Sequence, residues 1–145
     1  DIAVDVQQVL HSGVASIANP LLPNLMQSPL GTDGGAGFGW EDMTTIKGGV
    51  QLRAGEGWTW RTGYSYGSQP IPDSEVLFNI LAPGVMEEHF TFGLTRRKAD
   101  GNEFNFSFMY APEISIKGPQ NFDPTQTVEL SMSQFELEFS YSWKR

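Results

Sequence analysis

Residues Ile46 to Tyr66 read IKGGVQLRAGEGWTWRTGYSY, two arms of alternating character that meet at Gly55-Glu56-Gly57. The first arm places Ile46, Gly48, Val50, Leu52 and Ala54 on one face and Lys47, Gly49, Gln51 and Arg53 on the other. The second sets Trp58, Trp60, Thr62, Tyr64 and Tyr66 against Thr59, Arg61, Gly63 and Ser65. Side chains of a strand alternate between faces, so this period of two around a glycine-flanked turn predicts a β-hairpin. The position of the rings narrows the reading. Trp58, Trp60, Tyr64 and Tyr66 share one face, backed by arginine, serine and glycine. The inner face of a soluble sandwich would be mostly aliphatic. Rings gathered towards the ends of an apolar strand face, with a polar face behind, are the pattern of a strand crossing a bilayer within a barrel.

The flanking sequence repeats this unit. Upstream, residues 1–10 alternate, with Ile2, Val4 and Val6 against Asp5 and Gln7, and form the first expected strand. Residues 11–37 are a connection too long for a simple hairpin, rich in proline and glycine yet greasy through Leu21, Leu22, Leu25, Met26 and Leu30. The second strand is expected over 38–54 and the third over 58–67. Downstream, residues 68–86 form a second long connection, with a short helix from Glu75 to Leu81 capped by Asp73 or Ser74 and stopped by Pro83-Gly84. The fourth strand is expected over 87–97, a tight turn at Lys98-Ala99-Asp100-Gly101, and the fifth strand over 103–110. A third long connection spans 111–126 and the sixth strand 128–143. In that last strand the apolar positions change phase, from Val128, Leu130 and Met132 to Phe135, Leu137, Phe139, Tyr141 and Trp143, which predicts a bulge near Ser133-Gln134.

Connections that alternate long and short match the extracellular loops and periplasmic turns of an outer-membrane barrel. The expected fold is therefore all-β, an antiparallel transmembrane barrel portion in one domain. Six strands are fewer than the eight of the smallest single-chain barrels. An open sheet in lipid leaves edge N–H and C=O groups unpaired at several kcal/mol each, so further strands or other chains are needed for closure. The start at Asp1, in mid-strand, reads as a mature or cut product.

Composition sets outer limits. The chain has 145 residues, 39% hydrophobic, with sixteen glycines and nine prolines, and no run of eighteen apolar residues for a transmembrane helix. Moderate hydropathy suits barrel strands, half of whose residues face a polar interior. A net charge of −8 without a basic cluster argues against nucleic acid. The absence of cysteine suits an outer-membrane protein that needs no disulfide.

Three stretches carry a resemblance: PLGTDGGAGFGWEDMTTIKGGVQ, WTWRTGYSYGSQPIPDSEVLFNILAPGVMEEHFTFGLT, and FNFSFMYAPEISIKGP with a terminal SYSW. Together they cover nearly the whole chain and resemble the C-terminal part of the FadL-like outer-membrane transport family. The resemblance implies a Gram-negative outer-membrane location and passage of long-chain fatty acids and other hydrophobic molecules by binding and diffusion. It also implies a fourteen-stranded barrel plugged by an N-terminal hatch, of which this chain is the last six strands. The chain departs from the family's usual aromatic ending by placing Lys144-Arg145 after Trp143.

Candidate site residues follow from the greasy connections. Leu21, Leu22, Leu25 and Met26, with Leu77, Phe78, Ile80 and Leu81, either line a concave apolar site for a lipid-like ligand leaving the lipopolysaccharide layer or pack together to cap the barrel. On the polar faces, Lys47 and Arg61 are candidates for a carboxylate head group, Lys47 especially because no acid is evident in register with it. The alternative is a ladder of cross-strand ion pairs near the short turns, drawing on Arg53, Arg97, Glu103, Glu136 and Glu138. Gly48-Gly49 reads as a bend or as room for neighbouring rings. His11 and His89 stand far apart with no nucleophile pattern around them, and no metal-ligand spacing occurs, so neither enzyme chemistry, a cofactor nor a metal is expected. Asp33, Glu41 and Asp42 read as a solvated acidic loop, or as ligands for a divalent ion bridging lipopolysaccharide. The non-transport alternative is a structural β fragment that completes a larger barrel and binds nothing itself.

Overall fold

Six strands form one antiparallel sheet in sequential order: β1 (Ile2–Val9), β2 (Met43–Ala54), β3 (Trp58–Gly67), β4 (Glu88–Arg97), β5 (Glu103–Gln120) and β6 (Asp123–Ser142). The computed structural model describes residues 1–144. The sheet is open, since β1 and β6 are its two edges and do not pair with one another. β1, β3 and β4 start and stop within a few residues of the alternation in the sequence. The second begins at Met43 rather than at residue 38, because Phe38 and Trp40 turn away to hydrogen-bond the first connection: both backbone N–H groups donate to Ile17 O, at 2.8 and 3.3 Å.

Register carries the two faces across the sheet without a slip through the first four strands and the start of the fifth. Trp60 lies opposite Leu52 and Leu94, Leu94 opposite Phe106, and Phe106 opposite Phe139. One face is thus a continuous field of rings and aliphatic groups, with centroid separations of 5.9 Å for Trp60–Phe92 and 5.1 Å for Phe106–Phe139. Among the described residues no second layer covers it. Phe135, Leu137 and Phe139 stand 74, 54 and 65% exposed. Behind them the other face carries Lys47, Gln51, Arg61, Thr95, Asn105 and Glu138.

Two short turns close the same end of the sheet. At Gly55–Gly57 the backbone of Glu56 is left-handed (φ 60°) and so is that of Gly57 (φ 80°). A Cβ on Gly57 would lie 2.1 Å from Arg97 O, so glycine meets both the torsion and the close approach to β4. At Lys98–Asn102 the turn is held by Lys98 N–H donating to Asn102 O at 2.8 Å and by Asn102 N–H donating to Asp100 Oδ1 at 2.9 Å.

The opposite end departs from expectation in three ways. Residues 111–126 are not a long connection. β5 and β6 run on together through them to a tight turn at Asn121-Phe122, which makes a hairpin of 18- and 20-residue strands. Nor does the bulge lie on β6. Ala111 pairs Gln134 and Ile114 pairs Met132, so Pro112 and Glu113 together oppose Ser133 and the extra residue is on β5. β6 itself keeps strict alternation, and what changes along it is chemistry. Below the bulge the exposed face holds Phe135, Leu137 and Phe139. Above it that same face holds Thr127, Glu129 and Ser131, while Val128, Leu130 and Met132 sit on the other side in line with Gln134, Glu136 and Glu138. The bulge on β5 shifts its parity to match, placing Ile114 and Ile116 beside Met132 and Leu130. Finally, the helix expected over Glu75–Leu81 is two short 3-10 turns, Asp73–Glu75 and Phe78–Leu81, and neither Asp73 nor Ser74 caps one. Glu75 is drawn instead into a buried contact with the first connection.

The buried side chains gather at this end. Leu21, Ile71, Val76, Val85 and Asn79 are enclosed where the connections over 10–42 and 68–87 meet the extended hairpin. The first connection carries two one-turn helices, α1 (Ala15–Ala18) and α2 (Asn24–Gln27). Among the described residues no helix is long and apolar enough to cross a membrane, which says nothing of strands.

Candidate functional site

On the polar face, alternation in β2 to β5 brings polar side chains from neighbouring strands into one row, and hydrogen bonds join them. Arg61 donates from Nε to Gln51 Oε1 at 2.8 Å and from Nη1 to Thr95 Oγ1 at 2.7 Å. Thr95, buried, donates to Asn105 Oδ1 at 2.7 Å, and Asn105 Nδ2 donates to Glu103 Oε1 at 3.1 Å. Arg97 ends the row with Nε and Nη2 both on Glu103 Oε2, at 2.9 and 2.7 Å. This row floors a concavity of 720 Å³ near the short turns, lined also by Arg53 and Trp58. A second hollow of 390 Å³ lies where Ala3, Gly49 and Gly63 leave the polar face bare. Smaller hollows continue towards Glu136 and Glu138 on β6. The hollow near the short turns and the smaller ones towards β6 thus lie along the polar face.

At the long-loop end the connections are knitted by polar groups buried among apolar ones. Asn79 has no exposure and uses its amide fully: Oδ1 accepts from the Trp40 indole N–H at 2.6 Å, and Nδ2 donates to Phe38 O at 2.8 Å and Glu75 O at 2.9 Å. Glu75 Oε2 accepts from Leu21 N–H at 2.8 Å and ties the two connections together. Asn19 Nδ2 donates to Asp33 O at 2.9 Å and to Gly35 O at 2.8 Å, folding the first connection on itself. Phe38 stacks on Phe78 at 5.1 Å, and His11 meets Trp40 edge-on at 5.1 Å. The extended hairpin docks onto this assembly where Gly118 passes the 73–76 turn. A Cβ there would lie 1.7 Å from Asp73 O. Asn121 Nδ2 also donates to Ser74 O at 3.0 Å.

The expected site residues divide three ways. Leu21 is buried in the joint between the connections, and Leu22, Leu25, Leu77 and Phe78 are half-buried around it. Met26, Ile80 and Leu81 stand open at 80, 53 and 74%. Lys47 does have an acid in register, contrary to expectation: Asp5 lies directly across from it on β1, and Lys47 Nζ donates to Gln7 Oε1 at 3.1 Å. Arg61 is held by the neutral Gln51 and Thr95. Of the expected ladder, Arg97 pairs Glu103 near the short turns at 2.7 Å, while Arg53 pairs Asp1, an acid outside the expected set, at 2.8 Å. Glu138 instead accepts from Ser107 Oγ at 3.3 Å. Gly48 has nothing within 4 Å of a Cβ position, so it makes no room for a ring. Asp33, Glu41 and Asp42 do not converge. Among the described residues no three acids or histidines are placed to hold a metal ion.

Asn79, Trp40, Glu75 and Asn19 organise the long-loop end and escaped the sequence reading. An asparagine inside the apolar run LFNIL was the available clue, since a buried amide needs partners from distant backbone.

Lysines and arginines are concentrated at the short-turn end. Residues 10–42 carry Asp33, Glu41 and Asp42 and no lysine or arginine. Residues 68–87 carry Asp73, Glu75 and Glu87, again with no base. Residues 111–133 carry Glu113, Asp123 and Glu129 with Lys117, and Lys117 is paired to Glu129 at 3.3 Å. The short-turn end holds Arg53, Arg61, Arg96, Arg97 and Lys98 together with the acids Asp1, Glu56, Asp100 and Glu103. Several of the acids are stabilised as anions. Ser12 N–H donating at 2.9 Å holds the Asp42 carboxyl below its ordinary value, and so do the hydroxyl of Ser115 and then Lys117 for Glu129. Asp123 is lowered by the Thr125 hydroxyl and the Gln126 amide. Comparison with protein-family models, with characterised proteins and with solved structures gives no match to this chain.

Proposed function

We propose that this chain is the wall and outer rim of a bacterial outer-membrane β-barrel that passes hydrophobic molecules, long-chain fatty acids among them, by binding and diffusion. One observation carries the reading: hollows lie along the polar face of the sheet, and the aromatic face is left uncovered. A soluble sheet buries its apolar face at about 25 cal/mol per Å², whereas here only lipid or another apolar layer can take that role. The inversion above the Pro112-Glu113 bulge supports it. Where β5 and β6 rise past the ring-bearing band, the outer face becomes polar and the inner one apolar, as expected on leaving hydrocarbon for water. The resemblance to the FadL-like family points the same way, and its remaining strands would pair with the edges of β1 and β6.

No step in this function is covalent. The polar row on β2 to β5 lines the passage, and the apolar residues of the rim offer the first contact for a ligand. The test is fractionation of cells making the whole protein, followed by reconstitution of the purified protein into vesicles that enclose a scavenger for a fluorescent apolar solute. Outer-membrane residence and protein-dependent entry of the solute are expected. A protein recovered from the aqueous fraction, with its rings packed on another domain, would end the proposal. The open edges favour a second reading, in which the sheet only completes a larger barrel. Membrane residence without any solute entry would select it.

A further inference from the structure

Arg97 pairs with Glu103 and Arg53 with Asp1, but among the described residues no carboxylate pairs with Arg96 or Lys98. Both of these cations line a hollow of 460 Å³ beside the two short turns, together with Glu56, Gly57 and Ala99. Resting on the proposed membrane-spanning role, we infer that this hollow holds the phosphodiester of an anionic glycerophospholipid from the periplasm-facing leaflet.

Arg96 is fixed rather than free. Alternation puts it on the aromatic face, opposite Trp58 on β3 and Phe104 on β5, and Phe104 in turn lies opposite Tyr141. Its guanidinium lies 4.7 Å from the centre of the Trp58 ring, and Nη1 donates to Glu56 O. An arginine that merely snorkels from hydrocarbon to water needs no such tethers. The side chain is half-buried, and its Nε and Nη2 meet no acceptor among the described residues. That edge presents two parallel N–H groups, the fork that matches two phosphate oxygens. Lys98 adds an exposed ammonium as a point charge. Set against the Glu56 carboxylate, the two cations leave one positive charge in the lining, which a singly charged phosphodiester neutralises.

The acyl chains of such a lipid have a matching surface. Two residues along β4 on the same face, Leu94 lies between Trp60 and Phe106, and the exposed rings of Phe104 and Tyr141 flank the path. Tryptophan and tyrosine favour the headgroup level of a bilayer. A soluble phosphate would use the cations and leave this surface bare, so a lipid is the occupant that uses both.

Native mass spectrometry of the whole protein in detergent tests the inference, with dioleoyl phosphatidylglycerol, dioleoyl phosphatidylcholine and deacylated glycerophosphoglycerol as probes. One phosphatidylglycerol is expected to be retained, preferred at least about tenfold over phosphatidylcholine, the order that two basic side chains beside an anionic headgroup supply. Arg96→Gln combined with Lys98→Gln should abolish the preference. Lys98→Gln alone, at an exposed position, should reduce it about threefold, and Lys117→Gln at the other end of the sheet should leave it intact. A preference that survives the first two variants, or equal retention of both lipids by the unaltered protein, overturns the site and leaves membrane residence standing. Deacylated headgroup bound as tightly as the lipid overturns the lipid as occupant. Retention of neither lipid by protein recovered from the membrane overturns the site alone, whereas recovery from the aqueous fraction overturns the proposed function with it.

Discussion

Single residues decide whether the long-loop end holds together. Asn79 sits where three hydrogen bonds converge and no water reaches, so Asn79→Ala strands the Trp40 indole N–H and two carbonyls. A buried unsatisfied group costs about 1–3 kcal/mol. We expect a loss of that order in equilibrium unfolding, with a red-shifted Trp40 emission, while variants on the exposed loop, such as Met26→Ser, leave stability unchanged. Gly118 is the complementary case. A methyl group there collides with Asp73 O, so Gly118→Ala should push the 73–76 turn off the hairpin at a cost of about 1–3 kcal/mol. Faster proteolysis confined to residues 68–87 is the readout, and unchanged cleavage would show the contact to be dispensable. Of these residues only the apolar character of their surroundings was legible in the sequence. A buried amide is recognisable only once its partners, Trp40 and Phe38 some forty positions away, are known.

Among the elements, the hairpin of β5 and β6 departs most from its sequence reading. Its phase change was visible, but the bulge expected on β6 is on β5, and β6 keeps strict alternation while its apolar side chains change face. Its placement was not legible, because a slip on one strand and a switch of chemistry on its partner leave the same trace in β6. Removing Glu113 should give a one-to-one ladder, Pro112 opposite Ser133, with Ile114 and Ile116 still beside Met132 and Leu130. The expected result is a hairpin that refolds without aggregation, measured by light scattering, and aggregation would show that the bulge is needed for more than register. The prolines at 112, 119 and 124 suggested a loop. Pro112 lies in the bulge and Pro124 in the edge strand, places where a ladder tolerates a missing N–H. The hairpin also has a pH dependence. Glu129 has its folded value lowered below 4.5, so the stability it adds is present at neutral pH and is lost as pH falls from about 4.5 through the folded value. Exchange of hairpin amides, corrected for intrinsic rate, should accelerate on acidification in the native protein and less so in Glu129→Gln.

At the scale of the whole molecule, the open question is what covers the aromatic face. Leu137 is exposed, and in a soluble sheet Leu137→Arg would change stability by about 0.5 kcal/mol or less. In a lipid-facing strand the same change costs about 2–4 kcal/mol near the bilayer centre. Unfolding titrations from lipid vesicles should show the larger loss, with Glu138→Gln on the polar face near neutral; the smaller value for Leu137→Arg would refute a lipid-facing sheet. The sequence alone determined six segments of period two, which residues share a face below the β5 bulge, and the two short turns, because alternation and turn chemistry act between residues adjacent in the chain. It also marked the connections as greasy. Only the tertiary structure decided that β1 and β6 remain edges and that residues 111–126 extend the sheet. The same holds for Lys47 lying across from Asp5, and for a rim joined through Asn79 and Glu75. Each of those depends on groups brought together from tens of residues apart, where the energy of a contact rests on geometry that local pattern does not contain.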